Sequence, residues 1–328
     1  MRAPQQLSLV ATSLAAAVAF LAALAVMSTI AGWSDVIDRV DATLSFWFAV
    51  AFSAQAVAFC AYVFAYRAVA NVEGGRRLAL REATELVAVG FGAFLARGGA
   101  ALDSAALRGR GEGKHEGEIR VLALDALEHA PLAPAACAAA IALLAEGRRK
   151  PGLDFTIPWS TLVPIGAVVA VLAVRRRDRF AGEPGWRGKL GDVLEGIHVF
   201  FRLAAEWRRH WLGFVGASVY WAGDVVCLWA SLKPFDAAPP FAGVVLAHAV
   251  GYVLTRRTLP LAGAGIVEVL MPLTLAASGA PFSGAILGVF VYRIFNLWLP
   301  LVPAAVALPR LRRRFGSSFR IARPVSES

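Results

Sequence analysis

Long apolar runs separated by short clusters of charge set the pattern of this chain. The first, about Leu7 to Ile30, follows a start carrying Arg2 and exceeds the roughly 7–15 residues of a signal peptide's apolar core. A retained span is expected, with a cleaved leader as the competing reading. An acidic loop with Asp35, Asp38 and Asp41 against Arg39 leads to a second span, about Leu44 to Tyr66. Phe46 and Trp47 sit at one end of it and Tyr62 and Tyr66 at the other, as membrane interfaces favour. Further spans are predicted at about Val121–Ala145, kinkable at Pro131 and Pro134, then Thr156–Val174, Trp211–Leu232 and Ala285–Leu308.

Two stretches break this pattern. Ala83 to Ala101 is apolar but interrupted by Glu85, Gly90, Gly92, Arg97, Gly98 and Gly99. Phe241 to Leu254 is too short to cross, stops at Arg256 and Arg257, and resumes from Leu261 to Ala277 with Gly263, Gly265 and Glu268 inside. Both predict broken, re-entrant helix pairs, over 83–101 and 241–279. From Leu190 the residues Val193, Leu194, Ile197, Phe200, Phe201 and Ala204 recur at helical spacing, with Asp192, Glu195, Arg202 and Glu206 mostly opposite. That pattern predicts an amphipathic helix over 189–210 lying on the membrane surface.

Composition agrees. Hydrophobic residues make up 58% and charged residues 17%, with a mean hydropathy of +0.61. A soluble domain carries about 25% charge, so a cytosolic globular protein is excluded. The fold class is an all-α polytopic membrane protein of about six spans plus two re-entrant hairpins. The net charge of +10 concentrates in particular loops and so reports orientation and anionic lipid rather than nucleic acid. The loops Arg67–Arg81 and Arg175–Lys189 and the tail over 310–328 are expected in the cytoplasm, and the acidic loop outside. Glu146–Asp154, assigned outside, conflicts mildly because it holds Arg148, Arg149 and Lys150.

Each half then reads span, span, broken hairpin, span, with opposite orientation. The first half covers 1–150 and the second 151–309. Inverted repeats with discontinuous helices meeting near the midplane characterise many transporters.

A charge at the centre of a span costs about 2.5–3.5 kcal/mol on insertion scales. The candidates for a substrate path are therefore Gly263, Gly265, Glu268, Arg293, Arg256, Arg257, Asp224, Glu85, Arg97 and Asp103. Asp125 and Glu128 are expected to snorkel near a helix start, as Arg97 also can. Glu268 and Arg293 lie some eight residues into apolar segments, where pairing or function is expected. Asp224, amid Tyr220, Trp221, Val225 and Val226, reads either as a buried protonated acid or as a functional one.

Catalytic signatures are missing. The five histidines show no metal-ligand spacing, and there is no His-Glu-x-x-His, Gly-x-Ser-x-Gly, P-loop or dinucleotide fingerprint. Cys60, Cys137 and Cys227 read as small apolar residues. Neither a cofactor nor a metal is expected.

Pro260-Leu-Ala-Gly263-Ala-Gly265-Ile-Val-Glu268, followed by Val291-Tyr292-Arg293 and Trp298-Leu-Pro300, resembles the closing motif of the lysylphosphatidylglycerol synthase transmembrane region, a family also described as flippase-like. The stretch from Ala61 to Arg67 through Gly90, Gly92, Gly98 and Gly99 to Asp103 resembles an actinobacterial-type branch of it. In the first hairpin the family's Gly-Glu and Arg are replaced here by Gly98, Gly99, Asp103 and Arg108. Bifunctional members add a soluble aminoacyl-transferase domain; with the chain ending at Ser328, lysyl transfer is not expected. The resemblance implies movement of a polar, anionic or aminoacylated phospholipid between leaflets of a bacterial plasma membrane, both termini cytoplasmic. A scaffold or accessory role in envelope metabolism is the alternative, and an intramembrane lipid-modifying enzyme a lesser one. A homo-oligomer or a separate lipid-modifying enzyme are the protein partners it suggests.

Overall fold

A computed structural model describes residues 3–39, 46–72, 75, 77–93, 99–108, 114–147, 152–180, 182–253 and 263–315. Among these, every regular element is helical. The chain runs through α1 (Ala3–Ala31), the short α2 (Trp33–Ile37), α3 (Phe46–Ala70), α4 (Leu80–Ala93), α5 (Gly99–Leu107), α6 (Lys114–Ala145) and α7 (Leu153–Val174). The second half holds α8 (Trp186–Ala205), α9 (Trp207–Leu232), α10 (Phe241–Val253), α11 (Val267–Ala277), α12 (Phe282–Arg293) and α13 (Leu301–Phe315). Among the described residues, six helical stretches are long and apolar enough to cross a bilayer. The protein is a multi-pass, membrane-embedded helical bundle.

The central pair is α3 and α9, which pack along their lengths. Their approach depends on small residues. A Cβ on Gly213 would stand 2.3 Å from the Ala68 Cβ, one on Gly216 2.5 Å from the Ala61 carbonyl, and one on Gly223 2.7 Å from that of Ala54. Lipid tails are as apolar as leucine, so close backbone contact of this kind, rather than hydrophobic exclusion, holds spans together.

The two interrupted stretches fold as short helix pairs, α4 with α5 and α10 with α11. Arms of 14, 9, 13 and 11 residues fall short of the roughly 20 needed to span. The contacts between halves are reciprocal. α4 packs on α13, and α10 on α6; α1 packs on α12, and α7 on α6. α7 stands outermost, with almost none of its apolar length buried. Leu162, Ile165, Val168 and Leu172 point outward, as a lipid-facing helix requires.

Three elements depart from expectation. α6 starts at Lys114, seven residues before the predicted span, because the charged segment ahead of Val121 is itself helical. The amphipathic helix is present as α8, but part of its apolar face is covered by protein. Leu194, Val199 and Leu203 are buried, and Gly196 lies against Leu122 and Ala123 of α6. The last span is divided by a π turn at Ile294–Trp298, and α13 carries the helix on through Arg310 to Phe315.

Candidate functional site

The second hairpin places its polar groups against α9 and α12. Gly263 and Gly265 have φ of 69° and 91°, conformations that glycine adopts without a Cβ penalty, and they turn the chain into α11. Glu268 lies in the first turn of α11 and accepts the Gly265 N–H through Oε2 at 2.7 Å. A carboxylate there satisfies an orphan backbone donor and faces the positive end of the helix dipole. Its other oxygen accepts from the Nε of Arg293 on α12 at 2.6 Å. The two side chains are 4% and 2% exposed, so this ion pair is fully enclosed.

From Arg293 the polar contacts continue. Its Nη1 lies 3.4 Å from Asn296 Oδ1 in the π turn. Asn296 Nδ2 donates to Asp224 Oδ1 on α9 at 2.7 Å. Asp224 Oδ2 meets His248 Nε2 of α10 and the Tyr292 hydroxyl of α12, each at 3.0 Å. Tyr292 is 2.8 Å from the Tyr252 hydroxyl, and Tyr252 donates back to Asn296 Oδ1. Aromatic rings enclose the cluster: His248 stacks on Tyr252 at 4.7 Å, with the Trp221 ring edge-on to both. Asp224 and His248 are fully buried.

A second polar centre belongs to the first half. The Tyr62 hydroxyl donates to Glu128 Oε1, and the Trp221 indole N–H donates to the Glu128 carbonyl. Tyr66 donates to Asp103 of α5 at 3.1 Å. Glu128 is wholly buried, which corrects the expectation that it snorkels: with α6 beginning at Lys114, it lies mid-helix. Asp125, with a side chain 40% exposed, does reach outward.

Of the candidates, Gly265, Glu268, Arg293 and Asp224 therefore join one continuous set of hydrogen bonds, with Gly263 buried in the adjoining turn. Asp103 belongs to the first-half centre. Glu85 stands apart, 3.3 Å from Arg81 and 3.7 Å from Arg310, in a cavity of about 490 Å³ also lined by Glu82 and Arg313. Arg97, Arg256 and Arg257 lie outside the described residues. Sequence reasoning missed His248, Tyr252 and Asn296 altogether. It included Tyr292 only within a motif, and it took Tyr62 and Tyr66 for interface anchors.

Two discontinuous hairpins and buried charge inside a six-span bundle define a polytopic membrane protein with an intramembrane polar site. Residues 9–304 match the model of the lysylphosphatidylglycerol synthase TM region. The chain belongs to that family. No curated protein matches it.

Proposed function

We propose that this protein moves polar lipid head groups between the leaflets of a bacterial plasma membrane, with an anionic or aminoacylated phospholipid as substrate. The observation that carries this reading is the enclosed Glu268–Arg293 pair at the turn of a broken hairpin. An ionised pair buried among apolar helices lowers stability relative to a well-packed apolar pair, because desolvation offsets much of its attraction. A site that keeps such a pair has a use for its charges.

A head group bearing a phosphate and an amine can exchange partners with the pair. The Arg293 guanidinium offers several donors in a planar fork, and phosphate oxygens accept them better than a single carboxylate oxygen does. Glu268, released, meets the amine. One internal pair becomes two pairs with the lipid, so the site stays neutral throughout and no unpaired charge is left in the low-dielectric interior. The acyl tails remain in the bilayer, outside the bundle.

The reciprocal packing of α4 on α13 and α10 on α6 supports treating 1–150 and 151–309 as inverted repeats. In this reading the two hairpins open in turn toward opposite faces, and both termini lie in the cytoplasm, where the basic loops belong.

The reading is tested by leaflet exposure. Purified protein is reconstituted in liposomes containing labelled anionic and aminoacylated phospholipids, and exposure of label at the outer leaflet is timed. Wild type accelerates exposure, and Glu268→Gln and Arg293→Ala, although less stable, abolish it under conditions where each still elutes as one folded species. Wild-type protein that elutes as one folded species yet accelerates nothing contradicts the reading.

A further inference from the structure

Asp224, Tyr292, Tyr252 and Asn296 form a closed ring of four contacts: Asp224 to Tyr292, Tyr292 to Tyr252, Tyr252 to Asn296, and Asn296 back to Asp224. Each contact needs one hydrogen. A tyrosine hydroxyl brings one, an amide aims one at each acceptor, and a carboxylate brings none. With Asp224 ionised the ring therefore holds three hydrogens for four contacts. Tyr252 gives its hydrogen to Asn296, so Tyr292 must choose between Tyr252 and Asp224. Turning the Asn296 amide over does not remove the shortage; it moves the gap to the Asp224–Asn296 contact. One added proton on Asp224 Oδ2 fills it, donating to Tyr292, which then donates to Tyr252.

His248 fits the same count. Its Nε2 lies 3.0 Å from Asp224 Oδ2. Its Nδ1, fully buried, has no partner among the described residues. A charged imidazolium would leave a bare N–H at Nδ1, whereas a neutral ring with its hydrogen on Nε2 leaves only an empty lone pair. The ring therefore receives its proton on the carboxylate, not on the imidazole. The other ionisable groups around it are already engaged. Arg293 is paired with Glu268, the buried Cys227 lies on α9 with Asp224 and its carbonyl accepts from Ser231, and Glu128 of α6 accepts from Tyr62 of α3. Lys233, in the turn after α9, rests over the Trp229 and Trp47 rings. At the far end of α9, beside α8, His210 faces Glu206 at 3.7 Å.

We infer that Asp224 is a proton-binding site, and that its loading locks α10 to α9 and α12 while release of the proton frees the hairpin to move. This rests on the lipid-moving reading above for its coupling, but not for the site itself. Loading adds H⁺ to the carboxylate and forms the acid O–H···Tyr292 bond. Release returns the proton to water and leaves the one Tyr292 hydrogen to serve either Asp224 or Tyr252, not both.

Two measurements separate the site from its coupling. The first is infrared difference spectroscopy of the purified full chain during a pH titration, following the carbonyl stretch of protonated carboxyls. A band that titrates in wild type and is missing in Asp224→Asn is expected, with its midpoint displaced in Tyr292→Phe. The asparagine amide supplies the missing hydrogen to Tyr292 but no acceptor for the His248 Nε2–H, so this variant is less stable than wild type and is compared under conditions where it elutes as one folded species. If wild type and Asp224→Asn give the same band changes over the whole range in which the protein stays folded, the site is overturned, whatever lipids do. The second is leaflet exposure with and without a transmembrane pH difference. The wild-type rate is expected to change several-fold with the gradient and that of Asp224→Asn not at all. A titrating band beside a wild-type lipid rate indifferent to the gradient overturns the coupling. A titrating band with no lipid movement by wild type overturns the lipid-moving reading instead.

Discussion

Arg293 and Glu268 face each other across α12 and α11 at 2.6 Å, each almost wholly removed from solvent. Glu268 is also tied to the backbone N–H of Gly265, so the pair links the hairpin turn to a spanning helix. Removing one member leaves the other as an uncompensated buried charge, a loss of about 3–5 kcal/mol. Arg293→Leu alone is expected to lower Tm sharply, and Arg293→Leu with Glu268→Leu to recover much of it. Thermal unfolding of the purified single and double variants checks this. Equal Tm for the single and the double would show that the pair is not coupled.

Gly265 has a φ of 91°, with ordinary van der Waals space around a would-be Cβ, the nearest atoms being those of Ala19 at 3.7 Å. Strain from the backbone, not crowding, is the expected penalty of Gly265→Ala, on the order of 1–2 kcal/mol. Because the same N–H holds Glu268, lipid movement should fall as well. A variant with unchanged Tm and unchanged exposure rate would remove the turn from the account.

The α3–α9 seam predicts the opposite kind of failure. Gly216→Val inserts side-chain atoms where the Ala61 carbonyl and the Ala65 amide already crowd a Cβ. Overpacking of this kind costs about 1–3 kcal/mol, and more where backbone rather than side chain must give way. Gly166→Val on α7, where nothing lies within 4 Å, is the control. Size-exclusion profiles after mild heating should show loss of the Gly216 variant first.

Glu128 and Asp125 separate burial from mere presence in an apolar helix. Tyr62→Phe takes a donor from the buried Glu128 carboxyl and should destabilise by about 1–3 kcal/mol. Asp125→Asn, on an exposed side chain, should stay within about 0.5 kcal/mol. Chemical denaturation of both variants in the same detergent gives the comparison.

How legible the site was follows from these particulars. Glu268, Arg293 and Asp224 stand out because charge inside an apolar run is costly wherever it falls. The spans were legible for the same reason. His248 sits in an apolar run with no partner nearby in sequence. It becomes part of a site only because α9, α10 and α12 converge, bringing residues 24 and 68 positions apart onto one carboxylate. Tyr62 and Tyr66 carry the ordinary signature of interface aromatics, yet they turn inward to buried acids. Glu128 is expected near a helix start because the apolar run begins at Val121, whereas the charged residues ahead of it form the first two turns of α6. Contacts made by tertiary convergence leave no periodic trace in the sequence.

In the proposed function the Glu268–Arg293 charges meet a lipid head group, rather than only joining two helices. The most direct measurement is leaflet exposure by the charge-exchanged double variant, Glu268→Arg with Arg293→Glu, in liposomes of labelled anionic and aminoacylated phospholipid. The exchange keeps an ion pair in place but puts each charge on the wrong side of the head group. The exchanged protein, less stable for want of an acceptor at the Gly265 N–H, is expected to elute as one folded species and to move lipid no faster than empty liposomes. Full wild-type movement by the exchanged protein would contradict the proposed function.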